Sequence, residues 1–147
     1  MDKEQTPASS KLKAFVDLAR QYPPLPLAVV NAEETHVLQG TMEARAEGLV
    51  APVLIGNADA IRRLCQQLGF ELDGIPMLDS RSEAEAVQLG IDQVLRGKVS
   101  ALAKGWIHTD ALMRPVLAAL RTGQRISHVF VAELPSYPKP LFITDAA

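Results

Sequence analysis

The densest group of chemically useful side chains is Lys104-Gly105-Trp106-Ile107-His108-Thr109-Asp110-Ala111-Leu112-Met113-Arg114-Pro115, directly after the apolar run Ser100–Ala103. Gly105 permits a sharp turn and a close backbone approach to a ligand. Thr109 suits the cap of a short helical turn, and Pro115 suits a first helical position with Arg114 just before it. Free backbone N–H groups, one ammonium and one guanidinium would then gather, a set that grips phosphate oxygens. Lys104 would act as a point charge and Arg114 as a bidentate fork. A capped helix carrying two solvated cations is the plainer alternative.

Other reactive residues lack partners at useful spacing. Ser127 and His128 are neighbours on a strand-like run and point to opposite faces, so they cannot form a nucleophile–base pair. His128 shares a face with Phe130 and reads as a packed or hydrogen-bonded core residue. His36 and His108 have no companion at metal-ligand spacing, and no metal site is expected. Cys65 falls on a helical apolar stripe, where a buried inert thiol is expected. Gly56-Asn57 is either a second anion contact or ordinary strand-exit punctuation. Trp106 is either a platform for an adenine or a pantetheine arm, or a core anchor. Neither the Gly-x-Gly-x-x-Gly nor the Gly-x-x-x-x-Gly-Lys phosphate loop is present.

The whole chain bounds these readings. Its 147 residues suit one domain, and 48% hydrophobic with 22% charged residues is globular composition. Seven aromatic residues (four Phe, two Tyr, one Trp) argue against a stacking track for single-stranded nucleic acid. Residues 1–95 hold eight Lys/Arg against fourteen Asp/Glu, net −6, whereas residues 96–147 hold seven against three, net +4. That basic final third is either an unevenly charged solvated surface or a region built to meet a small anion. The N-terminus is polar, no apolar run approaches a membrane span, and one cysteine excludes an internal disulfide. The expectation is a soluble cytoplasmic protein.

These residues need a scaffold, and the apolar pattern supplies one. After a polar leader over 1–10, residues 11–20 suit an amphipathic helix stopped by Tyr22-Pro23-Pro24-Leu25-Pro26. Apolar runs at Leu27–Val30, Pro52–Ile55, Ile75–Leu78 and Ser100–Ala103 alternate with helical patterns. Those patterns cover Glu33–Glu47, a stretch capped by Asn57 and closed by Gly69, Arg81–Arg96, and a helix through Leu112, Val116 and Leu120. Ile126–Leu134 and Leu141–Thr144 read as strands about a turn. Alternating strands and helices predict an α/β three-layer sandwich with a mostly parallel sheet, whose ligands bind beyond the strands' carboxyl ends. The last strand stops without cover, as though the chain were cut within a larger protein.

Two stretches together resemble the phosphate acetyltransferase/phosphate butyryltransferase family. They are Ala101-Leu102-Ala103-Lys104-Gly105-x-x-His108-Thr109-Asp110-x-Leu112-Met113 and Leu120-Arg121-Thr122-Gly123-x-Arg125-Ile126-Ser127-His128-Val129-Phe130-Val131. Pro135-x-Tyr137-x-Lys139-Pro140-Leu141-Phe142-Ile143-Thr144-Asp145 continues the likeness. It is closer to the butyryltransferase branch and to the bifunctional enoyl-CoA hydratase/phosphate acetyltransferase enzymes.

The resemblance implies the first lobe of a two-lobe fold like that of isocitrate and isopropylmalate dehydrogenases, apparently truncated. Residues 11–123 would form that lobe and 126–147 would begin the second. It further implies acyl transfer between acyl phosphate and coenzyme A, the latter a substrate rather than a resident cofactor. The assembly it implies for the full-length protein is a homodimer, and the composition above leads one to expect no nucleic-acid or membrane partner. Lys104, Gly105, His108, Thr109 and Arg114 would contact phosphate or CoA phosphates, Ser127 and Thr144 would be polar cleft residues, and the catalytic base is unassigned.

Trp106 departs from the family pattern, standing where a small or polar residue is expected. Ala132-Glu133 replaces a Met-Asp-like pair, and Pro138 stands where an acid is common. The later segment with the family's catalytic aspartate is missing, so little turnover is expected of these residues alone. Two other readings remain: a non-catalytic phosphate- or CoA-binding or assembly module, and an oxidoreductase of the dehydrogenase-like fold.

Overall fold

The computed structural model describes residues 10–145 and separates into two units, one spanning Pro23–Thr122 and one joining residues up to Tyr22 with those from Gly123 onward. The larger unit runs β1 (Leu25–Val30), α2 (Thr35–Ala46), β2 (Val50–Gly56), α3 (Ala58–Leu68), β3 (Met77–Asp79), α4 (Glu83–Leu95), β4 (Ala101–Lys104) and α5 (Thr109–Ala119). The smaller unit holds α1 (Ser10–Ala19), β5 (Val129–Ala132) and β6 (Leu141–Thr144).

Four parallel strands stand in the order β3-β2-β1-β4. Consecutive residues of β1 face opposite sides, so Ala28 and Val30 enter one core while Val29 enters the other. The first core packs Ile55 with Ala86, Val87, Ile91 and Leu112 of α4 and α5. The second packs Leu54 with Leu38 and Met42 of α2 and with Ile61 and Cys65 of α3. The strands are therefore apolar on both sides, as a parallel sheet covered by helices requires. Gly90 lets α4 lie close against the sheet, since a Cβ there would stand 2.9 Å from Val30 Cγ2.

Several expectations shift in detail. β3 begins at Met77 rather than Ile75, because Ile75 is buried in the turn that leads into the strand. β5 is limited to Val129–Ala132 because its antiparallel partner, Leu141–Thr144, offers four residues to pair with. His128 thus lies outside the strand and is exposed, its ring 4.1 Å from that of Phe130, and is not a core residue. The expected leader over 1–10 falls almost wholly outside the described residues, Ser10 opening α1. The first lobe was expected from residue 11, whereas α1 groups with the hairpin: Leu12 N–H donates to Glu133, and the Phe15 and Phe142 rings meet edge to face. Among the described residues no helix is long and apolar enough to cross a membrane.

Candidate functional site

The carboxyl edge of the parallel sheet presents strand exits of unequal character. At the exit of β4, Gly105 N–H donates to Val30 O at 2.8 Å and Trp106 N–H to Asn31 O at 2.8 Å. Asn31 answers by donating from Nδ2 to Trp106 O at 2.7 Å. Asn31 is buried and held at φ 62°, a left-handed conformation that asparagine tolerates better than most residues. A Cβ on Gly105 would overlap the Asn31 carbonyl oxygen and stand 2.5 Å from that of Val30. The glycine is thus required by the neighbouring strand exit, where the sequence suggested approach to a ligand.

The same loop fixes its cation. Lys104 Nζ donates to Ile107 O at 2.6 Å and more weakly to Gly105 O at 3.4 Å. An ammonium carries three donors, so these carbonyls orient the group without exhausting it. Lys104, Trp106, Ile107, His108 and Glu83 line an open concavity of about 230 Å³. Ile107 is its buried apolar part, whereas the indole of Trp106 is 69% exposed.

α5 begins at this concavity. Its first intrahelical bond runs from Leu112 N–H to His108 O at 3.3 Å, leaving the amides of Thr109, Asp110 and Ala111 without helical acceptors. His108 holds the N-cap position but makes no side-chain cap. α2, α3 and α4 differ: Glu34, Asn57 and Ser82 accept from Val37, Ala60 and Glu85 respectively. Thr109 was expected as a cap; it is instead the first helical residue.

Arg114 is not among the residues lining the concavity. The helix starts at Thr109 and continues through Pro115, where a new start was expected, and this carries Arg114 about 7.5 Å along the axis at 1.5 Å per residue. Its side chain is 84% exposed, with Asp110 at 3.9 Å. The two-cation grip inferred from sequence thus resolves into Lys104 with His108 at the concavity and Arg114 farther along α5. Ser127 and Thr144 belong to the smaller unit, exposed before β5 and at the end of β6.

The exit of β2 also joins a glycine to a helix start, yet its donors are occupied. Glu33 Oε1 accepts from Asn57 N–H at 3.2 Å, Asp79 Oδ1 from Ala58 N–H at 2.9 Å, and Asn57 Oδ1 from Ala60 N–H at 2.9 Å. Glu33 Oε2, buried without a hydrogen-bond partner, fills the space that a Cβ on Gly56 would need. The chain's own carboxylates hold the place that Gly56-Asn57 was read as offering to an external anion. Cys65 is buried on the core-facing side of α3, and desolvation pushes its thiol above the ordinary value, as expected of an inert thiol. Among the described residues no cluster of three metal-ligating side chains occurs.

Sequence reasoning missed Asn31, Glu33 and Glu83. A short polar residue directly after the buried run Leu27–Val30 was the available signal for Asn31. Glu83 reaches the concavity only because α4 packs beside α5, which no local pattern announces.

No family model matches the chain. It is 33% identical over 141 residues to the phosphate acetyltransferase of Rickettsia felis, covering 92% of this chain and 40% of that protein. With the phosphate butyryltransferase of Clostridium acetobutylicum it shares 29% identity over 124 residues, covering 82% of this chain and 41% of that protein. A phosphotransacetylase structure from Streptococcus pyogenes superposes with a TM-score of 0.75 at 15% identity, over 90% of this chain and 50% of that one, which establishes the shared fold. The similarity to phosphate acetyltransferases and butyryltransferases is borne out, although these identities do not single out the butyryltransferase branch. The chain spans less than half the length of the curated relatives it matches.

Proposed function

We propose that this chain forms the phosphate-gripping part of a phosphate acyltransferase site, one that moves an acetyl or butyryl group between acyl phosphate and coenzyme A. The observation that carries this reading is the exit of β4, where a carbonyl-held ammonium and an uncapped helix start meet one concavity. The names of the relatives supply the substrate class.

Phosphate oxygens accept from the remaining Lys104 donor and from the first amides of α5, whose dipole adds partial positive charge. Coenzyme A enters as a substrate. Its thiolate attacks the acyl carbonyl carbon, the carbonyl oxygen gains charge, and phosphate departs with the bonding electron pair. Fixed donors serve best where charge develops, so the ammonium contributes both to holding phosphate and to its departure. The base that takes the thiol proton is not assigned to any residue of this chain.

Calorimetric titration with inorganic phosphate tests the grip. Lys104→Met should weaken binding roughly tenfold or more, the usual worth of a hydrogen bond to a charged group. Lys104→Arg, which keeps charge but changes shape, should retain part of it. Melting temperatures are read beside the affinities because Lys104 also ties its own loop. Unchanged phosphate affinity in a folded Lys104→Met variant would overturn the proposal.

A further inference from the structure

Asn31 is buried directly after β1, 75 residues from Trp106 in sequence and beside it in space. It brackets that residue with two hydrogen bonds. Its backbone carbonyl accepts from Trp106 N–H at 2.8 Å, and its side-chain Nδ2 donates to Trp106 O at 2.7 Å. The carbonyl of Trp106 and the N–H of Ile107 belong to one planar peptide unit. Ile107 N–H donates to Gly105 O at 3.0 Å, so that unit is held at both ends. Ile107 is anchored as well, buried in the core that also contains Val30 and Leu112.

The next carbonyl along the chain is that of Ile107, which accepts from Lys104 Nζ at 2.6 Å. A preceding peptide unit fixed in orientation leaves this carbonyl little freedom to turn. The restraint therefore runs from the Asn31 amide through the Trp106–Ile107 peptide to the Lys104 ammonium.

Residue type matters twice at position 31. The backbone there has φ 62°, which glycine, asparagine and aspartate adopt most readily. Glycine has no side-chain donor, and an ionised aspartate can only accept. Asparagine alone of the three combines this conformation with an N–H for the Trp106 carbonyl.

We infer that Asn31 is a positioning residue for phosphate, acting through the direction it gives to the Lys104 ammonium. The inference rests on the phosphate reading above and adds a residue from another strand exit that works at one remove. Without the Nδ2 bond the loop peptide can rotate, and the ammonium must be ordered afresh whenever phosphate binds. Ordering one long side chain is worth roughly two- to tenfold in affinity.

Asn31→Gly isolates this role, since glycine keeps the backbone conformation and removes only the side-chain bond. In an amide NMR titration with inorganic phosphate it should weaken binding by that factor. In a Lys104→Met background the same change should have no further effect, because the group it aims is gone. Carbon-13 relaxation of the free protein should show a more mobile Lys104 side chain after Asn31→Gly. Asn57→Ala, which removes the cap of α3 at the β2 exit, controls for general destabilisation and should change neither reading.

Unchanged phosphate affinity in Asn31→Gly, while Lys104→Met binds weakly, would overturn the inference and leave the grip standing. An equal loss in both backgrounds would mark a general loosening of the loop and would also overturn it. A Lys104→Met variant that binds phosphate as the native chain does would sink the grip itself, and the positioning role with it.

Discussion

The exits of β2 and β4 share an edge, a glycine and a following helix, yet only one of them leaves the first amides of its helix without side-chain acceptors. At the β2 exit, Glu33, Asp79 and the Asn57 side chain take up the first amides of α3. At the β4 exit the helix start keeps its amides, and Lys104 and Glu83 both face the concavity without either side chain capping the helix. A glycine before a helix is therefore not enough to make an anion site. What decides is whether the chain's own side chains occupy the amides at the helix start. Those carboxylates come from the exits of β1 and β3, so the segment around Gly56 gives no hint of them.

The largest expected effect falls on the β4 exit. Gly105→Ala drives a methyl group into the Asn31 and Val30 carbonyls, which belong to backbone that cannot rotate away. It should cost about 3 kcal/mol in chemical denaturation, at the upper end of overpacking. A cost under about 0.5 kcal/mol would break the proposed joining of the β1 and β4 exits. Asn31→Ala comes next. It removes the Nδ2 bond and puts a less tolerant residue at φ 62°, for about 2 kcal/mol. Hydrogen exchange should accelerate at Trp106 while Ala58 and Ala60 keep their protection.

The β2 exit should respond more mildly. Asn57→Ala removes one cap from α3 and should lower stability by about 1 kcal/mol. Phosphate affinity should not change, which sharpens the contrast with Lys104→Met. The smallest effect is acid-dependent. Amide hydrogen bonds from His36 and then Val37 hold the Glu34 carboxyl below its ordinary value. A folded value below the unfolded one gives stability that is present above the ordinary glutamate range of about 4.3 and is lost as pH falls through the lower folded value. Glu34→Gln should flatten that acid limb of the stability profile and leave the neutral-pH phosphate affinity unaltered.

The alternation of short apolar runs and amphipathic stretches made the sheet and its helices legible, because burial on both faces forces apolar strands. Asn57 and Gly69 were legible as the ends of α3 for local reasons, a side-chain acceptor and a left-handed closing residue. Lys104 and His108 line one concavity, a proximity that follows from their short spacing after a buried strand. Arg114 was not, because Pro115 suggested a fresh helix start where the helix in fact continues. Gly105 was singled out for a sharp turn and approach to a ligand, and the crowding that also requires a glycine there was hidden because it comes from Asn31 and Val30 at another strand exit. The grouping of α1 with β5 and β6 was equally hidden, because contacts such as Leu12 with Glu133 join the two ends of the chain.

Backbone amide NMR during a titration with inorganic phosphate tests the contrast between the two exits most directly. The amides of residues 105–111 should shift in a saturable way while those of Asn57, Ala58 and Ala60 stay in place. Shifts centred on residues 57–60, or no saturable shift at either exit, would contradict the assignment of the anion site to the end of β4.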